Sequence, residues 1–97
     1  MPYAYSQRAK AHAAFGKYKE AVRDLEKAVK LSGKGRVDPN LYFRLAALET
    51  ELGNISKVVR WLKDADPTSE ELDEFRRKNP KIEALIRRSG SLRKLFK

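Results

Sequence analysis

Apolar residues along this chain fall at helical spacing in separate stretches, with glycine, proline or capping residues between them. Leu41, Leu45, Leu48 and Leu52 follow one another by three or four positions, which gathers them on one helix face. Asp38 precedes Pro39 at the start of that stretch, as a cap precedes a first helical residue whose missing N–H costs nothing. Gly53 supplies the left-handed stop, and a second helix is predicted over about 56–65, ending before Asp66-Pro67.

The first third of the chain has the same plan, with helices predicted over about 3–15 and 17–31 on either side of Gly16. In the latter, Tyr18, Ala21, Val22, Leu25, Ala28 and Val29 line one face. Lys19, Glu20, Arg23, Asp24, Glu26, Lys27 and Lys30 form the other, a solvated pattern. Beyond residue 67, Thr68 and Glu71 are spaced for a capping box ahead of a helix over about 69–78. A further helix is expected over about 80–89, and Ser91 is expected to cap a last turn carrying Leu92, Leu95 and Phe96.

The two early units are copies of one another. Displaced by 37 residues, Tyr5 falls on Tyr42, Ala9 on Ala46, Gly16 on Gly53, Leu25 on Leu62 and Ala28 on Ala65. Apolar and small positions match while the charged positions between them drift, the mark of a repeated packing unit with a free surface.

These positions resemble the tetratricopeptide repeat family. Its pattern of an aromatic, a small residue, a turn glycine, an aromatic, an alanine, a bulky apolar residue and a second alanine is matched by Tyr5, Ala9, Gly16, Tyr18, Ala21, Leu25 and Ala28. Tyr42, Ala46, Gly53, Ile55, Val58, Leu62 and Ala65 match it again. Arg8 stands where the family usually has Leu, and His12 and Glu49 stand where Tyr is common. The resemblance implies an all-α fold: a right-handed α-solenoid of two helix-turn-helix repeats with C-terminal capping helices. The organisation expected is a single domain over 1–97, with repeat 1 at about 3–32, a linker at 33–37, repeat 2 at about 38–67 and a helical cap at 68–97. The cap would cover the apolar edge that a stack of two hairpins leaves open.

The family resemblance also implies a concave groove lined by the first helix of each hairpin. Carried over residue by residue, its positions are Tyr3, Ser6, Lys10 and Ala13, then Asn40, Phe43, Ala47 and Thr50, with Arg44 beside them. Aromatic, amide and cationic groups together suit an acidic or mixed acidic-apolar peptide. A subclass of the family clamps C-terminal carboxylates, but Lys10 and Ala47 replace two of its Asn positions, so that activity is not expected.

Charge adds a second candidate surface. The chain has a formal net charge of +9, and Arg76, Arg77, Lys78, Lys81, Arg87, Arg88, Arg93, Lys94 and Lys97 stand against Glu83 alone over 76–97. Such a strip would neutralise phosphates of nucleic acid or rest on an anionic membrane. Trp61 lies offset from Val58 and Leu62, either anchoring the cap or standing partly exposed as a hot spot for a partner. Self-association into a homo-oligomer is a third reading, because nothing caps the first helix.

Chemistry is sparse. There are no cysteines and one histidine, His12, so no transition-metal site and no cofactor is expected. "GKGR" at 33–36 lacks the spacing and the Ser or Thr of a phosphate loop, and Lys34 and Arg36 are expected to be exposed linker residues. No nucleophile stands with a base and an orienting partner, so no enzyme is expected. With no apolar leader in "MPYAYSQRAK", the expected location is the cytoplasm. The favoured function is a non-catalytic adaptor or scaffold binding a protein or peptide partner.

Overall fold

The computed structural model describes residues 2–33 and 37–96. The expected linker residues Lys34 and Arg36 lie outside the described residues, as do Lys97 and the Tyr3 side chain. Among the described residues seven helices follow in order: α1 Pro2–Ala14, α2 Tyr18–Ser32, α3 Pro39–Leu52, α4 Ile55–Ala65, α5 Ser69–Lys78, α6 Ile82–Arg88 and α7 Gly90–Leu95. The fold is all-α, and α1 packs on α2 and α3 on α4 as hairpins, an arrangement of the helical-repeat kind. A Cα radius of gyration of 12.9 Å is that of a chain this long folded around one core.

The two hairpins turn by the same device. Gly16 has φ 75° and Gly53 has φ 75°, a conformation that side chains with a Cβ rarely adopt. After Gly16, the N–H of Lys17 donates to the carbonyl of His12 at 2.8 Å; after Gly53, the N–H of Asn54 donates to that of Glu49 at 3.0 Å. Both are the long closing bonds of a Schellman stop. The 37-residue period therefore extends from apolar positions to backbone hydrogen bonding.

The local signals for α3 and α5 hold at atomic detail. Asp38 Oδ1 accepts from the N–H of Asn40 at 2.9 Å. Thr68 Oγ1 accepts from the N–H of Glu71 at 3.1 Å, while Glu71 Oε1 accepts from the N–H of Thr68 at 2.9 Å. For α7 the cap is Ser89, not Ser91: Ser89 Oγ accepts from the N–H of Leu92 at 3.2 Å. The shift follows from Gly90 being taken into the helix, which moves its start back two residues.

The core is uneven along the chain. The α1–α2 hairpin buries Ala9, Ala21, Val22, Leu25 and Ala28, mostly small side chains. Large ones come from further on: Leu45, Leu48, Trp61, Leu62, Phe75 and Ile82, with Leu85, Ile86 and Leu92 beside them. Residues beyond 67 therefore supply much of the core as well as its edge.

Of the two readings of Trp61, packed or partly exposed, the structure has the packed one, the residue being 4% exposed. Its ring stacks on Tyr42 at a centroid distance of 5.9 Å, and the Arg60 guanidinium lies 4.9 Å from its centroid. The offset from Val58 and Leu62 turns the indole toward α3. Its Nε1–H is buried without a hydrogen-bond partner among the described residues.

Candidate functional site

Helices α1, α3 and α5 run in the same direction. Lys27 meets Tyr5 and Asp24 meets Arg8, so α2 is antiparallel to α1, and the last turns of α2, at Val29 and Lys30, border a cleft with Tyr42 near the start of α3, so α3 turns back along the direction of α1. Ser6 meets Arg44 between α1 and α3, while Phe43 meets Phe75 and Glu51 meets Lys81 just past the end of α5, so residue numbers also rise together along α3 and α5. Between them lies an open groove of about 590 Å³. Ser6, Lys10, Asn40, Phe43, Arg44 and Ala47, all assigned to a groove from the sequence, line this one space. Thr50 does not join them. It is buried, and its Oγ1 donates back to the Ala46 carbonyl at 2.8 Å.

The other wall comes from α5, which the sequence offered as part of the cap and, through Arg76, Arg77 and Lys78, of the basic strip, but not of the groove. Glu71, Glu74, Phe75, Lys78 and Asn79 line it. Phe43 and Phe75, with ring centroids 6.3 Å apart, form an aromatic floor between the walls. The available signal was Phe75 itself, since an aromatic following a capping box marks the buried face of a helix that must pack on α3 or α4.

Arg44 is the most constrained charge in the groove. Its Nη1 donates to Ser6 Oγ at 2.7 Å and its Nη2 to the Ser6 carbonyl at 3.3 Å, tying α3 to α1. Burial pushes its pKa down, but a guanidinium stays charged throughout the accessible range. Among the described residues no carboxylate pairs with it, so neutral oxygens alone satisfy a half-buried cation. Lys10 is exposed and likewise makes no ion pair among the described residues. Lys78 is held by Glu74 at 2.7 Å, an exposed pair one helical turn apart and therefore weak.

A second polar cluster ties α1 to α2. Asp24, expected on the solvated face of α2, is instead 4% exposed. Arg8 grips it from both oxygens, Nε to Oδ2 at 2.9 Å and Nη2 to Oδ1 at 2.7 Å, and His12 Nε2 lies 3.5 Å from Oδ2. The substitution of Arg for the family's Leu at residue 8 is thus matched by an acid on the facing helix. Hydrogen bonding from Arg8 holds the Asp24 carboxyl below its ordinary range, against desolvation, which acts the other way. A depressed native pKa contributes stability above the ordinary carboxylate value and loses it as pH falls through the native value. Asp24→Asn is therefore expected to lower the melting temperature at pH 7 and to flatten its fall below about pH 4, read from melts between pH 7 and pH 2.

Several cations of the basic C-terminal strip have partners in the fold. Arg76 is paired with Glu83, Lys78 with Glu74 and Lys81 with Glu51. Arg93 Nη1 donates to the Arg87 carbonyl at 2.6 Å, closing the end of α6. Arg77, Arg87, Arg88 and Lys94 stay exposed without ion pairs among the described residues. Trp61 borders a separate cleft of about 540 Å³ beside Val29, Tyr42, Arg60 and Asp64.

Among the described residues, no three His, Asp or Glu side chains are gathered as a metal ion would need, and no helix is long and apolar enough to cross a membrane. The tetratricopeptide repeat model matches residues 2–34. That stretch is the α1–α2 hairpin, so this hairpin is similar to a tetratricopeptide repeat element. No curated protein matches the chain, and no solved structure does.

Proposed function

We propose that the chain is a non-catalytic interaction module of the tetratricopeptide kind, built of two such hairpins and a helical cap. It receives an acidic-apolar peptide segment of a partner protein in the groove between α1, α3 and α5. The observation that carries this reading is Arg44. A half-buried guanidinium beside an aromatic floor, served among the described residues by the hydroxyl and carbonyl of Ser6 alone, supplies what a carboxylate needs for a charge-assisted bond out of bulk water. Lys10 adds a free charge to draw such a segment in, and Phe43 and Phe75 take its apolar side chain.

Selection of a random dodecapeptide display library against the full chain tests this. Enriched peptides should share an acidic residue beside an apolar one, whatever else they carry, and their affinity by fluorescence anisotropy should fall about tenfold in Lys10→Glu, or about 1.4 kcal/mol in binding free energy. Lys10 is exposed and makes no ion pair among the described residues, so this variant keeps the fold. The runner-up surface is tested beside it with a labelled single-stranded oligonucleotide. Tight oligonucleotide binding that falls steeply with salt and is abolished by Arg87→Gln/Arg88→Gln, with no peptide enriched, would move the function to the C-terminal cations.

A further inference from the structure

The groove is charged differently at its two ends. Because α1, α3 and α5 run parallel, position along the groove is read from residue number. Asp38 and Glu71 stand at the N-terminal end, beside the first turns of α3 and α5. Phe43 and Phe75 occupy the middle with Arg44, Glu74 and Lys78 offset one another as an ion pair on the α5 wall, and Lys10 stands further along as a cation without an ion pair among the described residues. Asp38 and Glu71 each spend one oxygen on a helix cap, Oδ1 on the Asn40 N–H and Oε1 on the Thr68 N–H. Neither carboxylate pairs with a cation among the described residues, so each keeps a second oxygen facing water.

We propose that the occupant of this groove is a dipolar segment: a basic residue seated against Asp38 and Glu71, an apolar residue over Phe43 and Phe75, and an acidic residue against Arg44 and Lys10. The inference rests on the groove-binding reading and adds to it the cation that the partner must bring. Spacing follows from helix geometry. Asp38 to Arg44 spans about 9 Å along α3 at ~1.5 Å per residue, and Lys10 lies about a turn beyond. An extended chain covers ~3.3 Å per residue, so the basic and acidic residues stand about three to four positions apart. A wholly acidic segment would lay one of its carboxylates against Asp38 and Glu71, a like-charge contact that opposes binding. Order along the groove is therefore encoded as well as charge, since reversing the two signs places both ends in repulsion.

The test compares peptides enriched from the dodecapeptide library on the wild-type chain with those enriched on Asp38→Asn/Glu71→Gln. Asn caps a helix as well as Asp, and Gln serves a capping box as Glu does, so this variant removes two charges and keeps both caps. Wild type should enrich peptides carrying Lys or Arg three to four positions from Asp or Glu around an apolar residue. On the double variant the basic position should lose its enrichment, and replacing it with Ala should no longer weaken binding. On wild type that replacement should weaken binding about tenfold. Enrichment of purely acidic peptides that Lys10→Glu abolishes would overturn the dipolar inference and leave the groove reading standing. Dipolar peptides bound equally by wild type and the double variant would overturn it too. Peptides indifferent to both Lys10→Glu and the double variant, or no enrichment at all, would remove the groove reading and the inference together.

Discussion

Trp61→Ala is expected to destabilise the fold by about 4 kcal/mol, the cost of emptying a large buried aromatic site. A domain of this size has roughly 5–15 kcal/mol in total, so the variant should melt about 20 °C lower. The indole is packed between α4 and α3, stacked on Tyr42 and roofed by Arg60. Collapse of that space would have to drag two helices together. Trp61→Phe makes the opposite prediction, a change of no more than about 1 kcal/mol. Its smaller ring leaves a modest void, but the substitution also deletes an N–H that is buried without a hydrogen bond among the described residues. Urea unfolding followed by far-ultraviolet circular dichroism separates the two variants. A Trp61→Ala protein as stable as wild type, yet deficient in binding, would mean that the ring serves a partner rather than the core.

Leu92→Ala should cost about 3 kcal/mol, although only five residues of the sequence follow it. Its side chain is fully buried, held in place because Ser89 caps α7 and directs the helix back across α4. The neighbouring exposed Lys94→Gln should leave the thermal midpoint where it is. Deleting 91–97 removes Leu92 together with Leu95 and Phe96, so the whole fold should weaken rather than only the basic tail. Loss of peptide binding in such a truncation would report unfolding. Neutralising the exposed arginines Arg87 and Arg88 by substitution is the cleaner way to probe the strip. Equal melting temperatures for Leu92→Ala and wild type would mean that α7 is not docked.

Helices whose ends are written in local chemistry were the legible part of the fold. Asp38-Pro39 and Gly53 bound α3, and Thr68 with Glu71 opens α5, because caps act within four residues of themselves. Where an element's partner lies far along the chain, sequence reasoning lost ground. Asp24 sits among charged neighbours on a helix face that looks solvated, and only the arrival of Arg8, from 16 residues away, explains its burial. Trp61 falls at the edge of an apolar stripe, and its destination depends on Tyr42. The candidate groove shows the same division. Positions on α1 and α3 were found through the repeat, whereas Glu71 and Glu74 belong to no repeat copy and became visible once Phe75 met Phe43. The nine bases of the C-terminal strip are neighbours in sequence, whereas their acidic partners come from several elements. In space, four of its members are engaged with Glu83, Glu74, Glu51 and the end of α6.

The uneven core has a consequence for the order in which the molecule comes apart. Alanines dominate what the first hairpin buries, while Trp61, Leu62, Phe75 and Ile82 anchor the remainder. Apolar burial scales with area, so the first hairpin is held by the smaller share and leans on polar ties, Arg44 to Ser6 across the seam and Arg8 to Asp24 within it. Amide protons of α1 and α2 should therefore exchange with deuterium sooner than those of α4 and α6, as the first cooperative unit to open. A segment bridging Lys10 and Arg44 would lie across that seam. It would slow exchange in the first hairpin most, turning the least protected part of the chain into the part that records occupancy.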